Sequence, residues 1–351
     1  MAQFPSSLII VGGGIVGLTV AVAAQARGHA VTVIARDATG DTASGIAAGM
    51  IAPALEALND PESPESFGRL RAAQQAWFDL FESWPEAIRG TLRAAQQACS
   101  RYVWPQSDNT SDHVTPRLKA MGVDYEALID EDLDAVAADC NGVRVAGEML
   151  LEAGGFLAAL AQAVPVRMGN AVAVTATSVT CESGEVLSAD AVVVAGGFAS
   201  RGLAAAVPSL HALSAIKGHI LAAPGQGGFG VIRSPVGYLA DYGASARFGA
   251  TMEFGIEDVT VDPAVVAALK ARAHEILPGL DLSQATPRAG IRAAAPDSWP
   301  MIGRDASSGV YVATAMRRNG YIFAPLAARM ILDMLAGQTP PELVLYDPNR
   351  F

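Results

Sequence analysis

The sequence predicts an α/β chain of two lobes, α+β in overall layout. A Rossmann-type nucleotide-binding lobe is assembled from separate segments, and an antiparallel-sheet lobe is inserted between them. Three observations predict this. The chain opens on "SLIIVGGGIVGLTVAVAAQARGHAVTVIA": an apolar run, a glycine turn, a small-residue run and a second apolar run, the pattern of a βαβ unit. Apolar runs ending in small residues return at Ala189–Gly197 and Gly309–Met316, in the middle and near the end. From Ile216 to Glu253 the pattern changes to short strands broken by turns. Residues 1–84, 141–215 and 290–351 are therefore assigned to the nucleotide-binding lobe, and 85–140 with 216–289 to the inserted lobe.

In chain order, "SLIIV" reads as a strand, "GGGIVG" as a turn and Leu18–Arg27 as a helix that Gly28 ends, before the strand "AVTVIA". Leu8–Ala26 carries no charge, but Gly12, Gly13, Gly14 and Gly17 make it a poor membrane span. The head "MAQFPSS" lacks the Lys or Arg of a leader, so a buried strand and helix are expected instead. Residues 62–140 are expected to be mainly helical, with "RLRAAQQAWFDLFESW" the clearest amphipathic stretch. Leu151–Val164 reads as a helix of small residues, and "KGHILAAP", "YLADY" and "ARFGATMEFG" as strands of the inserted lobe. "VDPAVVAALKARAHEILPGL" gives a helix with Asp262 as cap and Pro263 in its first turn. The last helix, Ala324–Ala336, is expected to stop at Gly337.

Composition narrows the function classes. Hydrophobic residues make up 51% of the 351 and charged ones only 17%, which describes a packed chain with a large core. A net charge of −11 argues against nucleic acid and anionic membrane surfaces as partners. Cys99, Cys140 and Cys181 are isolated and odd in number, which suits a reducing cytoplasm. The five histidines show no paired ligand spacing, so no metal site is expected. The oligomeric state stays open, with a homo-oligomer among the expectations.

Gly12, Gly14 and Gly17 form G-x-G-x-x-G, with Ile15 and Val16 opening the helix. That spacing supplies a tight turn, backbone close to a pyrophosphate, and close helix–strand packing. Ala35 stands where an acid usually receives the ribose hydroxyls. Three readings follow. Arg36 receives the 2′-phosphate of NADP, or Arg36 and Asp37 are a solvated strand end, or the ligand is an extended FAD. The third draws on "DTASGIAAGMIAP", a second small-residue cluster that allows close backbone approach, with Thr42, Ser44, Ala48, Gly49 and Met50 as candidate contacts.

The stretches "VGGGIVG", "ASGIAAGMIAP", "FGATME", "GIRAAAPDSWPMIGRD" and "RRNGYIFAP" occur in the order seen in glycine oxidase and D-amino-acid oxidase. The chain resembles that family over nearly its whole length, with residues 85–140 the least recognisable. The resemblance implies a Rossmann-type FAD-binding domain with an inserted antiparallel-sheet substrate domain. Glycine oxidases usually carry Glu at the place of Ala35, whereas eukaryotic D-amino-acid oxidases accept "ARD" there. FAD with a less firmly held adenosine ribose is therefore expected. No cysteine falls near Ala293–Ile302, where some sarcosine oxidases attach their flavin, so non-covalent FAD is expected.

Oxidising an amine by flavin needs alignment more than a strong base. Arg292 lies in the nearly uncharged "AGIRAAAP", where a bidentate carboxylate would satisfy a guanidinium. From the residues alone a salt bridge to a core acid competes; the resemblance assigns Arg292 to the substrate carboxylate. It likewise assigns Tyr238 to holding the substrate, Met252 and Met50 to the pocket lining, and Arg318 as a second pocket arginine. Without it, Tyr238 reads as a half-buried strand tyrosine and both methionines as plain core. Arg318, Asn319, Gly320, Tyr321 and Ile322 read as a loop entering a helix, whose free N–H groups would bind the flavin's pyrimidine oxygens. A glycine-started helix without a ligand is the alternative. The resemblance also implies that Val172 is an adenine-side backbone contact, although a β-branched strand residue there is ordinary.

The activity this implies is oxidation of glycine or a D-amino acid to the imine, then the 2-oxo acid and ammonia. Molecular oxygen would become hydrogen peroxide, and the resemblance adds a role in thiamine biosynthesis. A dehydrogenase using a quinone or carrier, and a non-catalytic flavin-binding subunit, are the rivals.

Overall fold

Strand Ser7–Val11 anchors a six-stranded sheet because Leu8, Ile9 and Ile10 bury both of its faces, as expected of a central parallel strand. In this computed structural model, which describes residues 6–37, 39–58, 60, 63–107, 111–129 and 139–351, the order runs Met301–Arg304, Tyr311–Thr314, Ala191–Val194, Ser7–Val11, Ala30–Ala35, Val166–Met168. All neighbours are parallel except Met301–Arg304. The head 1–5 and part of the segment 85–140 lie outside the described residues.

Helix Ile15–Ala26 follows the first strand through the glycine turn and is buried almost throughout. It packs on Gly320–Leu335, the last long helix, in which Ala324, Ala327 and Ala328 are buried. Asp262 caps Pro263–Ile276 by accepting from the Ala264 amide at 2.8 Å, as its sequence predicts.

The second sheet has nine strands. Its long strand Ser214–Pro224 has Thr286–Ala294 along one edge. Ser245–Gly249 and then Glu253–Phe254 occupy the other. Gly237–Asp241, Gly230–Ser234, Ser100–Pro105, Cys140–Val145 and Tyr125–Ala127 complete it. Only Gly230–Ser234 and Ser100–Pro105 run parallel.

The structure corrects two expectations. Within 62–140, helices Ser63–Asp79, Glu86–Ala95 and Ser111–Ala120 form, but Ser100–Pro105 and Tyr125–Ala127 are strands. "SRYVWP" carries the aromatic and β-branched residues that suit a pleated surface, and pairing with Gly230–Ser234 overrides the helical neighbourhood. The lobe boundaries expected at 141 and 290 fall inside strands Cys140–Val145 and Thr286–Ala294, which both belong to the nine-stranded sheet.

Candidate active site

The carboxyl ends of Ser7–Val11, Ala30–Ala35 and Ala191–Val194 open onto a cleft of about 980 Å³. Gly12 ties the turn to the second strand by donating to the Ile34 carbonyl at 2.9 Å. Its φ is +129°, and a Cβ there would lie 2.5 Å from the Ala195 oxygen. A Cβ on Gly17 would lie 2.0 Å from the Gly12 oxygen. These two glycines close the turn against the sheet and the helix. Gly12, Gly14, Ile15 and Val16 line the cleft, whereas Gly17 serves the packing behind it.

The small-residue segment is tied to this turn. Ser44 Oγ accepts from the Ile15 amide at 3.1 Å, and Thr42 Oγ1 accepts from the Gly45 amide at 3.0 Å. Tyr321 donates its hydroxyl proton to the Ser44 carbonyl at 3.0 Å, joining the last helix to the same point. Thr42, Ser44, Gly320 and Tyr321 line the cleft. Asn319 and Ile322 stand behind it; Ile322 is buried, and the buried Asn319 Oδ1 has no partner among the described residues. Asn319 gives the helix Gly320–Leu335 no side-chain cap; its carbonyl accepts from the Ile322 and Phe323 amides, which leaves the Gly320 and Tyr321 amides for an acceptor.

At the strand end, Ala35 is buried and does not line the cleft, while its neighbours Ile34 and Arg36 do. Arg36 turns to Asp37, Nη2 to Oδ2 at 2.7 Å, and Asp37 brings the carboxylate that Ala35 lacks to the cleft wall. Val172 is half exposed on Ala171–Val174 and lies off the cleft, which its neighbours Asn170 and Ala171 line. An extended dinucleotide fits here. The glycine turn leaves backbone within reach of a pyrophosphate, and the long cleft ends at the uncapped helix Gly320–Leu335.

A second cavity, of about 940 Å³, lies between the small-residue segment and one face of the nine-stranded sheet. Register places its side chains: Tyr102, Arg233, Tyr238 and Gly249 lie opposite one another on successive strands, hence on one face. Gly218 and Arg292 stand on that same face by the two-residue alternation. A Cβ on Gly218 would lie 2.2 Å from Arg292 Nη1, so only glycine lets the guanidinium rest there. Arg292 and Arg318 line both cavities. Ala48, Gly49, Met50, Tyr238 and Met252 line the second alone.

Arg292 donates to the Thr251 carbonyl at 3.2 Å and has no carboxylate partner among the described residues. Burial pushes its pKa down, and the nearby Arg318 adds to that. Burial also pushes the Tyr238 hydroxyl up, keeping it a neutral donor. Arg318 instead engages Glu56, which raises its pKa. Glu56 also holds Arg233 at 2.7 Å. Burial opposes ionisation of Glu56, yet Arg318 and Arg233 together hold it at about 2. Glu148 lies behind, accepting from the Ala54 amide at 2.9 Å, and burial pushes its carboxyl up to about 8.

Sequence reasoning did not find Glu56, Arg233 or Glu148. Arg233 carries the signal that marked Arg292, a lone charge within an apolar strand, "GVIRS". The three cysteines line neither cavity. Among the described residues no group of acidic, His and Cys side chains gathers as a metal site, and no helix is long and apolar enough to cross a membrane.

Residues 7–334 match the family described as FAD dependent oxidoreductase, DAO. The chain is 28% identical to the tRNA 5-methylaminomethyl-2-thiouridine biosynthesis bifunctional protein MnmC of Caulobacter vibrioides, over 97% of this chain and 56% of that one. It therefore spans little more than half the length of such curated relatives. It is 25% identical to D-amino acid dehydrogenase of Cereibacter sphaeroides, covering 95% and 92% of the two chains. Its fold is similar to that of glycine oxidase from Geobacillus kaustophilus, with a TM-score of 0.82, 22% identity, and 99% and 100% of the two chains covered.

Proposed function

The chain belongs to the family of FAD-dependent oxidoreductases, and from that premise we propose that it oxidises a small amino acid at the carbon bearing the amine. The observation that carries this reading is Arg292: a deeply placed guanidinium on the wall shared by both cavities, with no carboxylate of its own among the described residues. A substrate carboxylate would satisfy it bidentately, with the Tyr238 hydroxyl as a further donor.

FAD, bound without a covalent link, would supply the acceptor for the hydride that leaves the substrate α-carbon. The chain's own residues orient and desolvate. Arg292 and Tyr238 fix the carboxylate, Met50 and Met252 wall the cavity, and the six-residue overlap of the two linings (Ala43, Ala47, Gly290, Arg292, Arg318 and Tyr321) brings substrate against cofactor. The amine reacts in its neutral form, so no strong base is required. The imine then hydrolyses to the 2-oxo acid and ammonia.

Mixing the yellow protein anaerobically with glycine, sarcosine and D-amino acids tests this. Bleaching by at least one is expected, and a flavin that none of them bleaches contradicts the proposal. Molecular oxygen is the acceptor in our reading, with peroxide as product. The dehydrogenase relative supports a carrier as acceptor instead, and absence of peroxide during aerobic turnover would select it.

A further inference from the structure

We propose that the second cavity is built for an amino acid carrying two carboxylates, the second one read by Arg233. The inference rests on the amino-acid oxidation proposed above and names the substrate class of that same site.

Charge balance leads to it. Arg233, Arg292 and Arg318 line the cavity around one shared carboxylate, Glu56, an excess of two positive charges in that cluster; Arg272 is exposed, and Glu253 is the other carboxylate on the wall among the described residues. Glu253 is already occupied, accepting from Thr251 Oγ1 and meeting His219 Nδ1, both at 2.8 Å. Glu148, neutral at neutral pH through burial, offsets nothing. An amino acid in its reactive form, with a neutral amine and one carboxylate, cancels one of the two charges. A second carboxylate cancels the other.

Geometry says where it binds. Arg292 and Arg318 also face the nucleotide cleft, whereas Arg233, Glu56 and Tyr102 line the second cavity alone. Arg233 is only 6% exposed, yet its hydrogen bonding is unfinished. Nη1 meets Glu56 at 2.7 Å, Nη2 reaches only the Met50 sulfur at 3.5 Å, and Nε has no partner among the described residues. A thioether is a weak acceptor, so a buried guanidinium left this way has capacity for one more anionic oxygen. Tyr238 is the cross-strand partner of Arg233 and its hydroxyl feels the charges of both Arg292 and Arg233, so the two anion readers flank one donor. The second carboxylate sits on the side chain or on the amine nitrogen.

The test uses the flavin-loaded protein and pairs of substrates differing only in the second charge: D-aspartate against D-asparagine, D-glutamate against D-glutamine, and iminodiacetate against sarcosine. Anaerobic flavin reduction should favour the acidic member of at least one pair by about tenfold or more in rate over half-saturation. The favoured pair distinguishes side-chain from nitrogen placement. Arg233→Met should shrink that ratio about tenfold by weakening the acidic member, and Arg233→Lys should keep part of the preference. Binding without turnover gives a second readout: succinate should perturb the flavin spectrum at lower concentration than butyrate, and Arg233→Met should abolish the difference. Neutral members reacting as well as acidic ones in every pair, or Arg233→Met slowing both members equally, would overturn the inference while leaving amino-acid oxidation intact. A flavin that no amino acid reduces defeats the underlying reading instead.

Discussion

The two cavities are built by opposite means. The nucleotide cleft is made of backbone and missing side chains: Gly12 and Gly17 allow the turn, and the starts of helices Ile15–Ala26 and Gly320–Leu335 face the space. The substrate cavity is made of long charged side chains delivered by distant strands, with Arg233, Arg292, Arg318 and Glu56 drawn from four separate stretches of chain. Backbone approach depends on near neighbours in sequence; charge pairing depends on the whole topology. The first cavity is therefore most sensitive to bulk at its glycine turn, and the second to the loss of a charge, with Gly218 the place where bulk also matters.

The largest break should come from bulk at the turn. Gly17→Ala puts a Cβ 2.0 Å from the Gly12 carbonyl oxygen, where neither backbone can yield without opening the helix–strand packing. A loss of about 3 kcal/mol or more is expected, seen as a protein purified largely without flavin and melting well below the parent. Flavin content equal to the parent would mean the turn relaxes freely.

A charge change behind the other cavity should act through pH. Glu148 has its pKa raised to about 8, so the folded protein holds a proton that the unfolded chain has released. Stability from this group therefore falls as pH rises from the ordinary glutamate range near 4.5 to about 8. Glu148→Gln should raise the melting temperature most at pH 8, by an amount on the order of 1–3 kcal/mol, with the gain closing toward pH 5. A constant offset at all pH values would mean the carboxyl is ionised in the fold. Glu56 runs the opposite way: held at about 2 by its arginines, it adds stability above the ordinary range that acid removes as pH falls through about 2.

The smallest expected effect sharpens the adenosine end. Asp37→Asn should weaken FAD about tenfold, the order of one charge-assisted hydrogen bond, with little change in turnover at saturating FAD. Unchanged affinity would make Arg36 and Asp37 a solvated pair.

This contrast also explains what the sequence disclosed. The βαβ start, the Asp262–Pro263 helix entry and the glycine turn are local, and each lies in the structure where its residues imply. Arg292 stood out because a lone charge in an apolar strand needs a partner. Arg233 bears the same mark in "GVIRS" and went unrecognised, since nothing nearby in the chain says that Glu56 lies beside it. Glu56 in "PALEALND" looks like the outer face of a short helix and is buried only because two arginines from other elements meet it. The strand Ser100–Pro105 was hidden for the same reason: its partner lies far along the chain.

The central claim is that Arg292 holds the substrate carboxylate. Its most direct test is Arg292→Leu, measured by anaerobic flavin reduction with the best amino-acid substrate and with the amine left when that substrate loses its α-carboxylate. Flavin content and melting temperature should stay close to the parent, because no core acid depends on this guanidinium among the described residues. Loss of a bidentate pair in a dry pocket should cost about 3–5 kcal/mol, a fall of a few hundred- to a few thousand-fold in kcat/KM for the amino acid, with the amine nearly unaffected. An unfolded variant, or equal slowing of both substrates, would contradict the account and move the carboxylate site to Arg318.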